Sequence, residues 1–260
     1  MNQSPQFSSP ELAVVMPVYN EATNIALVLR EWFRQLGDVV PNFVFFAIND
    51  GSKDETLAIL ESLREELGAR LRVVDKRNSG HGRTCREGYD LALAEGAPWV
   101  FQIDSDGQCD PAFFLELYES RAACDCVFGY RRTRDDGVGR LVIARCYRVL
   151  LWLITGTYSQ DPNVPYRLMR AGALKTALRK IPANFDLQNI ALTITLKSDP
   201  ELRWKSVPIH FRARQGGDNS INYRKIAQMG LNFLRELRQI SHEDSYPWWR
   251  ARWARRRMAS

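Results

Sequence analysis

Four short runs of almost wholly apolar residues, each followed by a polar turn and then a helical pattern, constrain this chain more than anything else in it. Leu12-Ala-Val-Val-Met16 is the first, and Pro17 is expected to end it. Residues 21–36 follow as an amphipathic helix, with Ile25, Leu29, Phe33 and Leu36 on one face. Residues 43–48 form the second run, and residues 54–67 a helix with acidic residues at its start. Residues 71–74 are the third strand, and residues 83–94 a helix that Gly96 and Pro98 close. Residues 99–103 are the fourth strand. Strands apolar on both sides belong inside a parallel sheet covered on both faces, so the fold class is α/β with a mostly parallel central sheet. A chain of 260 residues, 45% hydrophobic and 25% charged, suits one large domain of this kind or a domain with a small appendage.

The second half is less regular. Strands are expected at residues 125–129, 166–169 and 203–211, and helices at 140–157, 184–197 and 223–240. The intervening 130–139 and 212–222 are polar and read as loops. The pattern divides the chain into a disordered segment 1–10, a main domain 11–241 and a basic, Trp-rich tail 242–260.

The net charge of +6 is not spread evenly. Arg250, Arg252, Arg255, Arg256 and Arg257 crowd the last eleven residues, and removing these five leaves a nearly neutral body (+6 − 5 = +1). The balance argues for a sticky tail and against a nucleic-acid surface over the whole protein. Cys85, Cys109, Cys124, Cys126 and Cys146 make an odd number with no Cys-x-x-Cys pair, which fits free buried thiols in a reducing compartment. Cys124 and Cys126 are expected to alternate on one strand and face the same side. The first ten residues are polar, with no apolar signal core, and the apolar run 149–154 is far too short to span a bilayer.

Ligands of such sheets bind beyond the carboxyl ends of the strands. The segments there are Pro17-Val-Tyr-Asn-Glu21, Asn49-Asp-Gly-Ser52 and Asp104-Ser-Asp-Gly-Gln108, all polar and two of them acidic. Adjacent carboxylates such as Asp104 and Asp106 repel one another unless a cation sits with them. Oxygen ligands suit Mg²⁺ or Mn²⁺, and Gln108 offers one more oxygen. The plain alternative is a solvated turn whose Asp residues cap the helix that Pro111 helps start. No Gly-x-Gly-x-x-Gly follows the first strand, and the Gly-x-x-x-x-Gly-Lys phosphate loop is absent too.

Four segments in one order and spacing then resemble glycosyltransferase family 2, with its GT-A fold. They are Val14-Val-Met-Pro-Val-Tyr-Asn-Glu21, Ile48-Asn-Asp-Gly-Ser-Lys-Asp54, Asn78-Ser-Gly-His-Gly82 and Phe101-Gln-Ile-Asp-Ser-Asp-Gly-Gln108. The second half is similar to dolichol-phosphate mannose synthases and bacterial polyprenyl-phosphate glycosyltransferases. Phe128-Gly-Tyr-Arg131, Asp161-Pro-Asn-Val-Pro-Tyr-Arg167 and Val207-Pro-Ile-His-Phe-Arg-Ala-Arg214 carry that likeness, followed by residues 217–220. Pro165 stands where that subgroup has Gly, and Ile221-Asn222 follow Ser220 where the synthases often have Lys.

The resemblance implies a Rossmann-like, mostly parallel sheet and a metal-dependent transferase using a UDP- or GDP-sugar. It implies that Pro17, Tyr19, Glu21 and Asp50 hold the nucleoside, with Arg83, Asp104, Ser105 and Asp106 also on the donor and His81 near it. Asp104, Asp106 and Gln108 would bind Mg²⁺ or Mn²⁺, and Arg131, Arg167, Arg214 and Ser220 would gather phosphate oxygens. The reaction implied is in-line displacement at the anomeric carbon with inversion, in which Asp106 and Arg131 serve catalysis. A polyprenyl-phosphate acceptor needs no general base. A hydroxyl acceptor in lipopolysaccharide or polysaccharide assembly does, and Asp186 is then either that base or the N-cap of the next helix. The expected setting is the cytoplasmic face of a membrane, docked through the tail Tyr246-Pro-Trp-Trp-Arg-Ala-Arg-Trp-Ala-Arg-Arg-Arg257 and an apolar face on residues 140–157, with no nucleic-acid partner.

Overall fold

The structure of the protein, a computed structural model, describes residues 9–131 and 157–212. The helices expected at 140–157 and 223–240, the segment 1–10, the tail 242–260, Cys146, Arg214 and Ser220 lie wholly or almost wholly outside these residues.

Strands β1 (Leu12–Val18) and β2 (Phe43–Asn49) are buried at every position, as is β4 (Trp99–Ile103). With β3 (Leu71–Asp75), β5 (Cys126–Arg131), β6 (Tyr166–Arg170) and β7 (Trp204–Ile209) they form a seven-stranded sheet of order β3-β2-β1-β4-β6-β5-β7. Only β6 runs against its neighbours; every other pairing is parallel. The chain winds outward from β1 through β2 to β3 and then returns to β4 on the other side of β1. That reversal opens a crevice at the carboxyl ends of β1 and β4, where ligands of doubly wound sheets bind.

Helix α1 (Ile25–Val39) buries Ile25, Val28, Leu29, Trp32, Phe33 and Leu36, a stripe at helical spacing. Trp32 anchors it, with ring centroids 5.6 Å from Phe101, 6.3 Å from Phe114 and 5.9 Å from Tyr166. Helix α2 (Thr56–Leu67) follows β2. Helix α3 (His81–Ala94) lies so close to the sheet that a Cβ on Gly88 would sit 2.3 Å from Val15 Cγ1 and 2.6 Å from Ile48 Cδ1. This contact brings the start of α3 to the crevice. Helices α4 (Phe114–Glu119), α5 (Ala171–Arg179) and α6 (Gln188–Lys197) complete the described α-helices, and α6 buries eight of its residues.

Several boundaries differ from the sequence expectation. β1 continues through Pro17 to Val18, in register with Ile48 and Asn49. Val18 O accepts from Asp50 N on the β2 side, so the missing N–H of Pro17 falls on the β4 side, where pairing has already ended at Val15. Residues 21–24 are turn and not helix, because Asn20 has φ 53° and the N–H groups of Glu21 and Ala22 reach Thr56 Oγ1 (2.8 Å) and Asp54 Oδ2 (3.2 Å). Tyr130 and Arg131 belong to β5 and not to a loop. Cys124 precedes that strand and does not alternate with Cys126 on it; Cys85, Cys109, Cys124 and Cys126 are free and buried. Among the described residues no helix is long and apolar enough to cross a membrane.

Candidate active site

A cleft of about 400 Å³ opens at the carboxyl ends of β1, β2 and β4 and at the start of α3. β1 contributes Pro17 and Val18, and the turn beyond it contributes Tyr19, 43% exposed, and Glu21. Asp50 lies at the end of β2, and its carboxylate is engaged within the protein. Asp50 Oδ1 accepts from Lys76 Nζ (2.6 Å) and Ser79 N (2.8 Å), and Oδ2 from Gly80 N (2.9 Å). Burial pushes this carboxyl up, but the Lys76 ammonium and the two N–H groups outweigh it and hold it below the usual carboxylate range. Asn78 Nδ2 donates to Asp50 O (2.7 Å), so residues 76–80 are folded back as one wall of the cleft. Gly51 allows that approach: it has φ 66°, and a Cβ there would meet Asn78 N at 2.7 Å.

The acidic loop forms the opposite wall, where Asp104, Ser105 and Asp106 all line the cleft. Asp106 Oδ1 accepts from Gln108 N (3.1 Å), around Gly107 at φ 74°. Asp104 Oδ1 is buried and has no hydrogen-bond partner among the described residues, and His81 Nε2 lies 3.8 Å from it. Burial raises the Asp104 carboxyl; His81 acts against the rise and Asp106 adds to it. His81 Nε2 also lies 3.4 Å from Cys85 Sγ, whose neighbour Gln102 accepts from Tyr89 Oη at 2.7 Å. A shielded carboxylate oxygen without a donor, beside a second carboxylate and an amide, fits a hard divalent cation. Among the described residues no three His, Cys, Asp or Glu side chains gather around a common point. The loop therefore offers two carboxylates and the Gln108 amide, the partial shell of a cation that shares its remaining positions with substrate phosphate.

The arginines separate. Arg131 makes a paired hydrogen bond to Asp161, Nε to Oδ2 at 2.5 Å and Nη2 to Oδ1 at 2.8 Å. Its charge acts on Asp104, so it lies near the acidic loop. Arg167, expected to bind phosphate, is wholly enclosed and is corrected to a structural residue. Its guanidinium donates to the carbonyls of Val164 (2.6 Å), Asn189 (2.5 Å) and Pro162 (2.8 Å), and it packs 4.8 Å from the Phe128 ring centroid. Burial lowers it from its ordinary value to about 10, so it remains charged at neutral pH. Arg83 does not line the cleft; its Nε lies 3.6 Å from Asp186 Oδ1. Asp186, 64% exposed, is not the N-cap of α6, which begins one residue after Leu187 and has no side-chain cap. Arg214 and Ser220 lie outside the described residues.

The sequence reading gave Asn78 and Gly80 no role, although the third family-like segment contains both. It missed Thr84, which lines the cleft, and Lys76 and Asp161, which hold Asp50 and Arg131. Asp161 opens the segment Asp161-Pro-Asn-Val-Pro-Tyr-Arg167, whereas no sequence pattern marks Lys76.

Comparison with known proteins gives one consistent answer. The model of the family described as Glycosyl transferase family 2 matches residues 13–180. The chain is 31% identical over 148 residues to the uncharacterized glycosyltransferase YkcC of Bacillus subtilis (strain 168), covering 54% of this chain and 43% of that protein. It is 23% identical over 221 residues to an undecaprenyl-phosphate 4-deoxy-4-formamido-L-arabinose transferase of Sodalis glossinidius, covering 84% of this chain and 65% of that protein. The chain thus spans 43% to 65% of the length of these curated relatives. In fold it is similar to glucosyl-3-phosphoglycerate synthase from Mycobacterium tuberculosis, solved with Mg²⁺ and uridine diphosphate. That match has a TM-score of 0.64 and 20% identity, covering 89% of this chain and 79% of that one.

Proposed function

The chain belongs to glycosyl transferase family 2 and has the GT-A fold, and on that premise we propose that it moves a sugar from a UDP- or GDP-sugar to a polyprenyl phosphate, with inversion, at the cytoplasmic face of a membrane. The observation that carries this reading is Asp104, whose buried Oδ1 has no donor among the described residues and which, with Asp106 at the end of β4, lines a cleft walled by β1, β2 and α3.

In this reading Tyr19, Glu21 and Asn78 contact the nucleoside, and Asp50 acts mainly by holding residues 76–80 in place. Asp104, Asp106 and Gln108 would hold Mg²⁺ or Mn²⁺, which when bound supplies positive charge against the departing diphosphate. Arg131 Nη1 has no partner among the described residues, while Asp161 fixes the rest of the fork, so Arg131 can meet an anionic oxygen in a set direction. An acceptor phosphate oxygen attacks the anomeric carbon, the bond from that carbon to the diphosphate oxygen breaks, and the nucleoside diphosphate leaves.

The phosphate acceptor is favoured by the state of the cleft carboxylates. A hydroxyl acceptor must lose a proton to a base. Asp50 is engaged by Lys76, Ser79 and Gly80, Asp104 and Asp106 belong to the metal reading, and Glu21 stands at the nucleoside end. Asp186 is solvent-exposed and off the cleft lining. The relative from Sodalis glossinidius, named for undecaprenyl phosphate, is consistent with this choice. Membrane docking is proposed through the Trp- and Arg-rich residues 246–257.

The donor half is tested by Asp106→Asn. Turnover should fall by about 10² or more, as when a group stabilising the leaving charge is lost, and metal-dependent nucleotide binding should weaken while the melting temperature is kept. Full turnover of the wild type in chelator contradicts the reading.

A further inference from the structure

Beyond β7 the chain turns back onto the acidic loop. Phe211 and Cys109 form an isolated antiparallel bridge, and Arg212 N donates to Gln108 O at 3.0 Å. The Arg212 fork then takes carboxylates from two different elements. Nη1 donates to Glu31 Oε2 on α1 at 2.6 Å, and Nη2 to Asp110 Oδ1 at 2.9 Å. Asp110 is itself fixed: its Oδ1 accepts from Ala112 N (3.0 Å) and its carbonyl from Tyr166 Oη (3.1 Å). A lone surface ion pair contributes little. This one differs, because a planar fork held by two partly shielded carboxylates keeps one geometry.

The consequence reaches Gln108. Its Nε2 donates to Arg212 O at 3.3 Å, which sets the amide orientation and leaves Oε1 without a donor among the described residues. Gln108 N meanwhile donates to Asp106 Oδ1 at 3.1 Å, so the carboxylate and the amide are held as one unit. On the other side of this segment the Phe211 ring packs 5.0 Å from the Arg131 guanidinium. Residues 211 and 212 thus touch the acidic loop, α1 and Arg131 at once.

We propose that Arg212 is a positioning residue for the cation-binding loop: it clamps residues 106–110 between α1 and the exit of β7, so that Gln108 Oε1 and Asp106 are offered together to a divalent cation. The proposal rests on the metal reading above. It concerns how tightly the cation is held, and Arg212 itself touches neither cation nor sugar.

The test is titration of UDP and of GDP into the full chain, in Mn²⁺ and in EDTA, alongside melting temperatures. Arg212→Met keeps the stem and removes the fork. It should reduce the affinity gained from Mn²⁺ about tenfold, the equivalent of ~1.4 kcal/mol, and leave the affinity in EDTA at the wild-type value. Arg212→Lys should recover part of the loss. Glu31→Gln, at the far end of the clamp, should reduce the Mn²⁺ gain about threefold, and it decides the question if Arg212→Met does not fold. Equal weakening in Mn²⁺ and EDTA, or a lower melting temperature with the Mn²⁺ gain intact, overturns the proposal. A Mn²⁺ gain in the wild type that survives Arg212→Met overturns the role of Arg212 alone. A wild type indifferent to Mn²⁺ overturns the metal reading, and this proposal with it.

Discussion

Asp50→Asn should destabilise the protein far more than an ordinary change at a loop, and in a way that depends on pH. The Asp50 side chain is 5% exposed, and it accepts from the Lys76 ammonium and from the N–H groups of Ser79 and Gly80. Asparagine keeps one acceptor and turns the other oxygen into a donor, which then faces an N–H or the ammonium. Breaking a buried ion pair costs about 3–5 kcal/mol. Lys76 keeps Ser79 Oγ at 2.5 Å and lies 3.3 Å from both Arg77 O and Thr84 Oγ1, which reduces the loss. An expected destabilisation of ~2–4 kcal/mol corresponds to a melting temperature lower by roughly 4–16 °C for a domain of this size. The Asp50 carboxyl is held below its unfolded value of about 3.9, so its contribution is complete above that pH and is lost as pH falls through the folded value. The gap between wild type and variant should therefore stay constant from about pH 8 to 5 and close below about pH 4. Thermal unfolding followed by circular dichroism across that range measures it. An unchanged melting temperature at pH 7, or a gap undiminished at about pH 3, refutes the argument.

Asp186→Asn should retain most turnover with a polyprenyl-phosphate acceptor, because a phosphate monoester brings its own anionic nucleophile; initial rates at saturating donor check this. A collapse of turnover with stability and donor affinity intact makes Asp186 the base for a hydroxyl acceptor. A chain ending at Ser245 should lose binding to anionic vesicles at low salt, since five Arg near the surface contribute roughly 1 kcal/mol each. Sedimentation with anionic and neutral vesicles measures it, and equal binding by the full chain and the shortened one removes the tail as anchor.

The first half of the fold was legible because its strands are apolar on both faces and its helices carry stripes at helical spacing, as in Ile25, Leu29 and Phe33. The polar segments at the strand ends marked the cleft for the same reason: topology alone puts them on one edge. What escaped was set by long-range partners. Pro17 reads as a strand end until the β4 pairing is seen to stop before it. Arg167 reads as a phosphate ligand, yet the turn at residues 162–164 and the start of α6 enclose it with carbonyls. Lys76 and Asp50 are separated by 26 residues, and Arg212 and Asp110 by 102; no local pattern pairs either set. Helix α5 buries Ala173, Leu174, Ala177 and Leu178 at helical spacing, but it is only nine residues long and two of these four are alanines.

The central claim is transfer of a sugar to a lipid phosphate by a metal-dependent site. Its most direct measurement is label transfer from a panel of UDP- and GDP-sugars into the organic phase, with polyprenyl phosphate or the matching polyprenol as acceptor, in Mn²⁺ or chelator. The account predicts a labelled lipid product with the phosphate and not with the alcohol, formed in Mn²⁺ and lost in chelator. Product with the alcohol alone, or equal product in chelator, contradicts it.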